Sequence, residues 1–494
     1  MSRSLSTQQL ESLSLKLEEM NNARGTLLAQ LADLDAAIRI VRAECKTVLR
    51  NSSAIARIPN EILAMIFEEA HSCRNGAGLP LSQVTHRWRD VAINTPRLWS
   101  RIDVEVRGPR RVNLVALYLS RLKALPFDLK LTIEERLRDK DRDHRIHGAV
   151  LGKLLGDHIH RCRRLDLELH SADSAGAILD FLAVASAPLL QSFDATYYYG
   201  YGGHDIQPIL KGGTPMLTNM RLIGAPSHLP PLCNVVTFHL DMDDDRMPYS
   251  YIDTQNLKGP LSSLTHLVFL EITIVLWGRW RGPAVTLPAL QTLRLVDRDG
   301  GLIGRIYEAI DAPLLEFLSL QSFVAEETLD WLHHASDLAP TKFPRLHTLS
   351  FADSEMALEF LLEPFMRTFP HLETVKFKWQ SRDQFRQVLQ LLLETDAPGP
   401  YWPRLRHLAS DFPRFNRHND THELLASVLR HRITTGRPVE TLTVSKEVIA
   451  GVLRSAPAWT KLIEMVEYEL DDNAFEYINY TDNEEVEDDS DMDI

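Results

Sequence analysis

Residues 57–103 read RIPNEILAMIFEEAHSCRNGAGLPLSQVTHRWRDVAINTPRLWSRID. Ile58, Ile62, Leu63, Ile66 and Phe67 recur at helical spacing behind Pro59, with Asn60 and Glu61 in the first turn. Proline is tolerated there because the first helical N–H has no partner within the helix. A Gly-rich turn at 75–80 precedes a second amphipathic segment, with Val84, Trp88, Val91 and Ala92 on one face. Thr95-Pro96 breaks that segment before Leu98-Trp99. The spacing predicts a small all-α module over 54–103.

Upstream, Leu10, Leu17, Leu31, Ile38 and Cys45 fall at one position of a seven-residue period, and Leu13, Met20, Leu27, Leu34, Val41 and Val48 at the other. Arg24 is the misfit, followed by Gly25. A strict heptad over about five repeats predicts a long coiled-coil helix over 5–50. Its narrow apolar seam needs a partner. Three remain open: a second copy of this chain, another part of its own fold, or a foreign helix.

Downstream the chain repeats. Pro-x-Leu-x-x-Leu-x-Leu recurs in Pro288…Leu295, Pro313…Leu320, Pro344…Phe351 and Pro370…Phe377. Weaker copies end at 167, 195, 222, 238, 269, 410 and 444. Most intervals are about 25 to 34 residues, the scale of a stacked repeat in which each unit supplies one short strand and a return arc. An α/β repeat solenoid is expected over 104–462, with capping strands at 104–133. Between the inward leucines, alternate residues face a concave surface. That surface would present Asp166, Glu168, Asp194, Arg221, His239, Arg294, Ser319, Gln321, Lys376, Lys378 and Asp411. Tyr197 and Tyr199, with Trp277 and Trp280, lie on insert-like stretches, either as further contacts or as local core.

Charge is uneven. The 494 residues carry −13, but the last 24 hold eleven Asp/Glu and no Lys/Arg, leaving −2 for the rest. A near-neutral body argues against broad nucleic-acid binding. The acidic segment 471–494 is expected to be disordered, with Ser490 in a setting that suits an acid-directed kinase. Cys45, Cys73, Cys162 and Cys233 are scattered, which suits a reducing compartment. No apolar run approaches the ~18 residues of a membrane span, and the N-terminus has no secretory pattern. The expected location is cytoplasmic, nuclear or both, with no membrane partner.

His144, His147, Asp157, His158, His160 and Cys162 form the best metal candidate, but their spacing matches no zinc pattern, and Cys162 fills a repeat's apolar slot. No nucleophile–base pair or phosphate loop is legible, so neither enzyme activity nor a cofactor is expected.

The stretch 58–99 resembles the F-box, in the form common among fungal F-box-like proteins. It carries Ile58-Pro59-Asn60-Glu61-Ile62-Leu63, Ile66-Phe67, Val84, Trp88-Arg89 and Pro96-Arg97-Leu98-Trp99, with Thr85-His86 where many members have a Cys. The repeats resemble the irregular leucine-rich repeats that accompany such modules. The resemblance implies that Ile58, Pro59, Glu61, Ile62, Leu63, Ile66, Phe67, Val84, Trp88, Pro96, Leu98 and Trp99 dock on a Skp-type adaptor of a cullin ubiquitin ligase. The repeats would then hold a protein substrate. A coiled-coil and repeat scaffold outside ubiquitylation is the alternative.

Overall fold

At six of its copies the Pro-x-Leu signature folds into one hydrogen-bonded turn. Leu190, Leu217, Leu290, Leu315, Leu346 and Leu405 each donate their backbone N–H to the carbonyl three residues back, at 3.1–3.3 Å. Pro188, Pro215, Pro288, Pro313, Pro344 and Pro403 occupy the second position of these turns. The fixed proline φ suits that position. Every one of these leucines is buried, and a strand starts within two residues of each. The turn therefore sets both the entry and the phase of the strand that follows.

The computed structural model describes residues 2–467 apart from 53, 74–75, 107–108, 134–142, 171, 199–206, 225–227, 242–251, 274–275, 278–279, 298–301, 322–341, 353–357, 379–381, 394–399, 411–420, 445, 447–448, 451–452 and 454–462. The acidic stretch 471–494 with Ser490, and Tyr199 and Asp411, lie outside the described residues. The chain divides between Leu98 and Trp99 into two units.

In the second unit fourteen strands make one parallel sheet in chain order. They are β1 (Arg101–Val106), β2 (Phe127–Ile133), β3 (Cys162–Leu169), β4 (Ser192–Tyr197), β5 (Asn219–Ile223), β6 (Thr237–Asp241) and β7 (Phe269–Thr273). They continue as β8 (Thr292–Val296), β9 (Phe317–Gln321), β10 (Thr348–Ala352), β11 (Thr374–Lys378), β12 (His407–Ser410), β13 (Thr441–Val444) and β14 (Glu464–Glu467). Parallel neighbours need long crossovers. Here these carry helices such as Asp143–His158, Ala172–Leu182 and Leu302–Ala309, or irregular arcs.

Leu131, Leu167, Ala195, Leu222, Leu240, Ile272, Leu295, Leu320, Phe351 and Phe377 stand side by side across the strands, all buried. One expected copy, ending at 269, is misphased, while the copy ending at 238 keeps its phase and runs one pair further. The inward pairs are Phe238/Leu240 and Leu270/Ile272, and Phe269 faces the opposite side. The run Leu267-Val-Phe-Leu270 has no polar alternation to set its phase, and a slip of one residue flips every side chain. The expected start of the sheet at 104 also moves: β1 begins at Arg101, so Ile102 and Asp103 belong to the sheet.

At Gly224, φ is +80° and an added Cβ would lie 2.2 Å from the Tyr197 carbonyl oxygen, so only glycine fits between β5 and its neighbour.

In the first unit, α1 (Ser2–Ser52) is one continuous helix through Arg24-Gly25, about 75 Å long at 1.5 Å per residue. From Leu10 to Val41 its apolar seam residues are 39–68% exposed. Within the first unit, no described residue covers the seam.

Three further helices follow, where two were expected: α2 (Asn60–Cys73), α3 (Gly78–Val84) and α4 (His86–Ile93). Thr85 separates the last two. Its extended backbone lets its hydroxyl accept from the Trp88 N–H at 3.1 Å, capping α4. Pro80, read as part of a turn, sits in the first turn of α3, where it costs no hydrogen bond. Among the described residues no helix is long and apolar enough to cross a membrane.

Candidate functional site

The helical module sorts its apolar residues onto two faces. On α2, Leu63 and Phe67 are one turn apart and 1% exposed, and the Phe67 ring meets Trp88 at 4.9 Å. These residues form the module's own core. Ile62, Met65 and Ile66 point elsewhere and are 47%, 65% and 46% exposed, and Val84 at the end of α3 is 53% exposed. Charges frame the module: Arg87 donates to Asn60 Oδ1 at 2.9 Å and to the Ile58 carbonyl, and Arg97 pairs with Glu68 at 3.4 Å. Isolated exposed apolar residues are ordinary on a surface; several on one short helix mark an interaction face.

The adaptor-contact residues expected from the sequence therefore divide. Ile62, Ile66 and Val84 are exposed, as are Pro59 and Glu61, while Ile58, Trp88 and Pro96 are half-buried. Leu63, Phe67 and Leu98 are buried and do not present a contact surface. Trp99 also departs from the expectation: it is fully buried in the second unit, edge-on to Tyr118 at 5.2 Å, with the Arg121 guanidinium 4.3 Å from its ring. Sequence reasoning missed Met65. Its signal was its place three residues after Ile62 and one before Ile66, on their side of the helix.

The second surface is the face of the sheet opposite the inward leucines. One row of registered residues runs Asp103, Lys130, Asp166, Asp194, Arg221, His239, Glu271, Arg294, Ser319, Ser350 and Lys376. The structure thus aligns Asp166, Asp194, Arg221, His239, Arg294 and Lys376 as expected, with Glu168 and Lys378 one row along. Lys130 Nζ bridges Glu168 at 2.8 Å and Asp166 at 3.8 Å, and Thr132 donates to Glu168 at 3.0 Å. Further along, Glu271 lies 3.5 Å from His239 and 3.7 Å from Arg294. Arg294 also covers the Phe269 ring at 5.1 Å.

Four expected contacts are corrected. Tyr197 is fully buried, its hydroxyl donating to the His228 carbonyl at 3.2 Å. It lies two residues past Ala195, so the period of two already points it inward. Ser319 and Gln321 face the right way but are 2% and 4% exposed. Trp280 is half-buried and donates to the Pro283 carbonyl at 3.2 Å within its own loop, and the Trp277 side chain lies outside the described residues.

Burial pushes the Asp166 carboxyl up to about 6; Lys130 opposes the shift and Asp194, Glu168 and Asp103 add to it. Burial likewise raises Asp103 and Asp194. Burial would raise Glu271 too, but the His239 hydrogen bond and the charges of His239, Arg294 and Arg221 hold it below its ordinary value. The acidic end is therefore partly protonated in mild acid, while the central carboxylate stays ionised.

A prediction follows for Asp166. Between about pH 4 and 6 the folded chain holds a proton that an unfolded aspartate has released, so this group's contribution to stability falls as pH rises through that window. Asp166→Asn cannot ionise. Its denaturation midpoint relative to wild type is expected to rise from pH 4.5 to pH 7, and an unchanged difference would rule out the shift.

Of the metal candidate, the side chains of His144 and His147 lie outside the described residues. Cys162 is buried, donates to the Arg164 carbonyl at 2.9 Å, and has its thiol pKa pushed well up by burial. His158 contacts Arg161 at 3.2 Å. Among the described residues no three His, Cys, Asp or Glu side chains are grouped to hold a metal ion.

No protein-family model matches this chain, and no curated protein matches it.

Proposed function

We propose that this chain is the substrate-recognition adaptor of a cullin-based ubiquitin ligase. The helical module α2–α4 acts as an F-box that docks on a Skp-type adaptor. The stacked strands act as leucine-rich repeats whose polar face holds a protein substrate. The observation that carries this reading is the apolar face of Ile62, Met65, Ile66 and Val84, left open by a module that has already sealed Leu63 and Phe67 inside.

The chain's part in the reaction is to bring substrate and ligase together, with ubiquitin transfer done by other subunits. The charged row from Asp103 to Lys376 supports the substrate half of the proposal. Its acidic start and basic later strands select partners by charge complementarity.

The test is affinity purification of the full chain beside a version lacking residues 54–97. Ending the deletion there keeps Trp99 with its own unit. A Skp-type adaptor and cullin are expected with the full chain and lost with the deletion, while substrate proteins remain with both. Absence of the adaptor from the full-chain preparation would leave the alternative, a scaffold outside ubiquitylation whose open α1 seam makes the functional contact.

A further inference from the structure

The open seam of α1 has one occupant that its own residues specify, and this holds whether or not the chain serves a ligase. We propose that α1 pairs with α1 of a second copy of this chain as an antiparallel coiled coil centred near Ala29.

The area is sufficient. Nine apolar seam residues between Leu13 and Cys45 are all exposed. At roughly 100 Å² each they would bury about 900 Å² per chain, against the ~800 Å² per partner of a standard interface.

Charge decides the orientation. A parallel, in-register pair stacks Arg24 on Arg24 of the second copy in the middle of the seam, and its flanking positions match no opposite charges: Lys16 meets Asn21, Gln30 meets Asp35, and Ala37 meets Arg42. Reversing one helix changes each of these contacts. When the residue numbers of facing positions sum to 58, every seam residue from Leu10 to Val48 has a seam partner. Arg24 then packs against Leu34 of the second copy, beside Asp35. Lys16 lies across from Glu44, and Leu28, itself 57% exposed, meets its own copy at the two-fold axis. The like-charge clash becomes two symmetric ion pairs, and the charge that interrupts the heptad acts against the parallel form.

The consequence is spatial. In this register the two Ser52 residues lie about 70 Å apart at 1.5 Å per residue, so the two helical modules sit at opposite ends of the rod and each can engage its own partner. A dimer with two such sites gains avidity for any target presenting two copies of the recognised segment.

Cys45 makes the orientation testable in the full-length chain. With Cys73→Ser and Cys233→Ser removing the other exposed thiols, a parallel pair sets Cys45 against Cys45, whereas the antiparallel pair sets it against Leu13. Mild oxidation is expected to give no disulfide-linked dimer in that background and a linked dimer once Leu13→Cys is added. Light scattering at micromolar concentration is expected to give twice the 56.2 kDa chain mass, halved by the double variant Leu27→Lys, Leu31→Lys. Both positions are exposed in the single chain, so that variant folds. A monomer, a higher oligomer, a Cys45–Cys45 link, or a dimer that survives the lysine variant would overturn the proposal.

Discussion

Ile62→Asp is expected to abolish recovery of the Skp-type adaptor while leaving the fold intact. Ile62 stands on α2 beside Met65 and Ile66, with 47% of its surface in water in the isolated chain. Placing a carboxylate there changes a solvated position, and such substitutions shift stability by about 0.5 kcal/mol or less. In a complex the same position is dehydrated against an apolar partner. Burying an unpaired charge at the centre of an interface costs about 3 kcal/mol or more, roughly a hundred-fold in affinity. Leu63→Ala, one residue away, should do the reverse. Leu63 is 1% exposed, and its truncation is expected to cost about 2–5 kcal/mol of stability through the cavity it leaves. Measuring adaptor affinity and thermal midpoint on both variants separates face from core. An Ile62→Asp protein that still binds adaptor at wild-type strength would show that this face serves something else.

Trp99→Ala is expected to be strongly destabilising, and its damage should be local. Resemblance to the F-box assigns Trp99 to adaptor contact, but its side chain is fully buried against Tyr118 and under the Arg121 guanidinium. Both partners belong to α5 (Pro109–Leu122), the helix that connects β1 to β2. Removing a buried indole costs about 3–5 kcal/mol. In a stacked array each unit is held mainly by its neighbours, so the loss should concentrate at the end where Trp99 sits. Hydrogen exchange should show lost protection in β1 and β2 and near-normal protection in β10 to β12. If β1 protection is unchanged while adaptor binding disappears, Trp99 is a contact residue after all.

The strands of the parallel sheet were legible because their signals are local. A proline that fits the second position of a turn, a leucine at the fourth and alternation in the strand after it all act within about ten residues. That is why segments around Leu295, Leu320, Phe351 and Phe377 can be read as strands from sequence alone, and why the inward course of Tyr197 was there to be read as well. Where alternation lapses, as from Leu267 to Leu270, the period of two loses its phase and only the register with β6 and β8 places Phe269 outside.

The long helix and its heptad were equally written in the sequence, since the period of a helix is a property of the backbone. What it did not contain was which apolar residues had already found partners. Ile62 and Leu63 are adjacent and alike in chemistry; one is open and the other sealed because Trp88 packs on the Phe67 side of α2. Gln321 and Arg294 alternate correctly on the same sheet face, yet Gln321 is buried and Arg294 keeps part of its side chain in water. Trp99 closes a sequence pattern read as one module and belongs to the core of the next unit. Periodicity tells a residue which way it faces; burial depends on what arrives from far along the chain to meet it, and only the tertiary structure decides that.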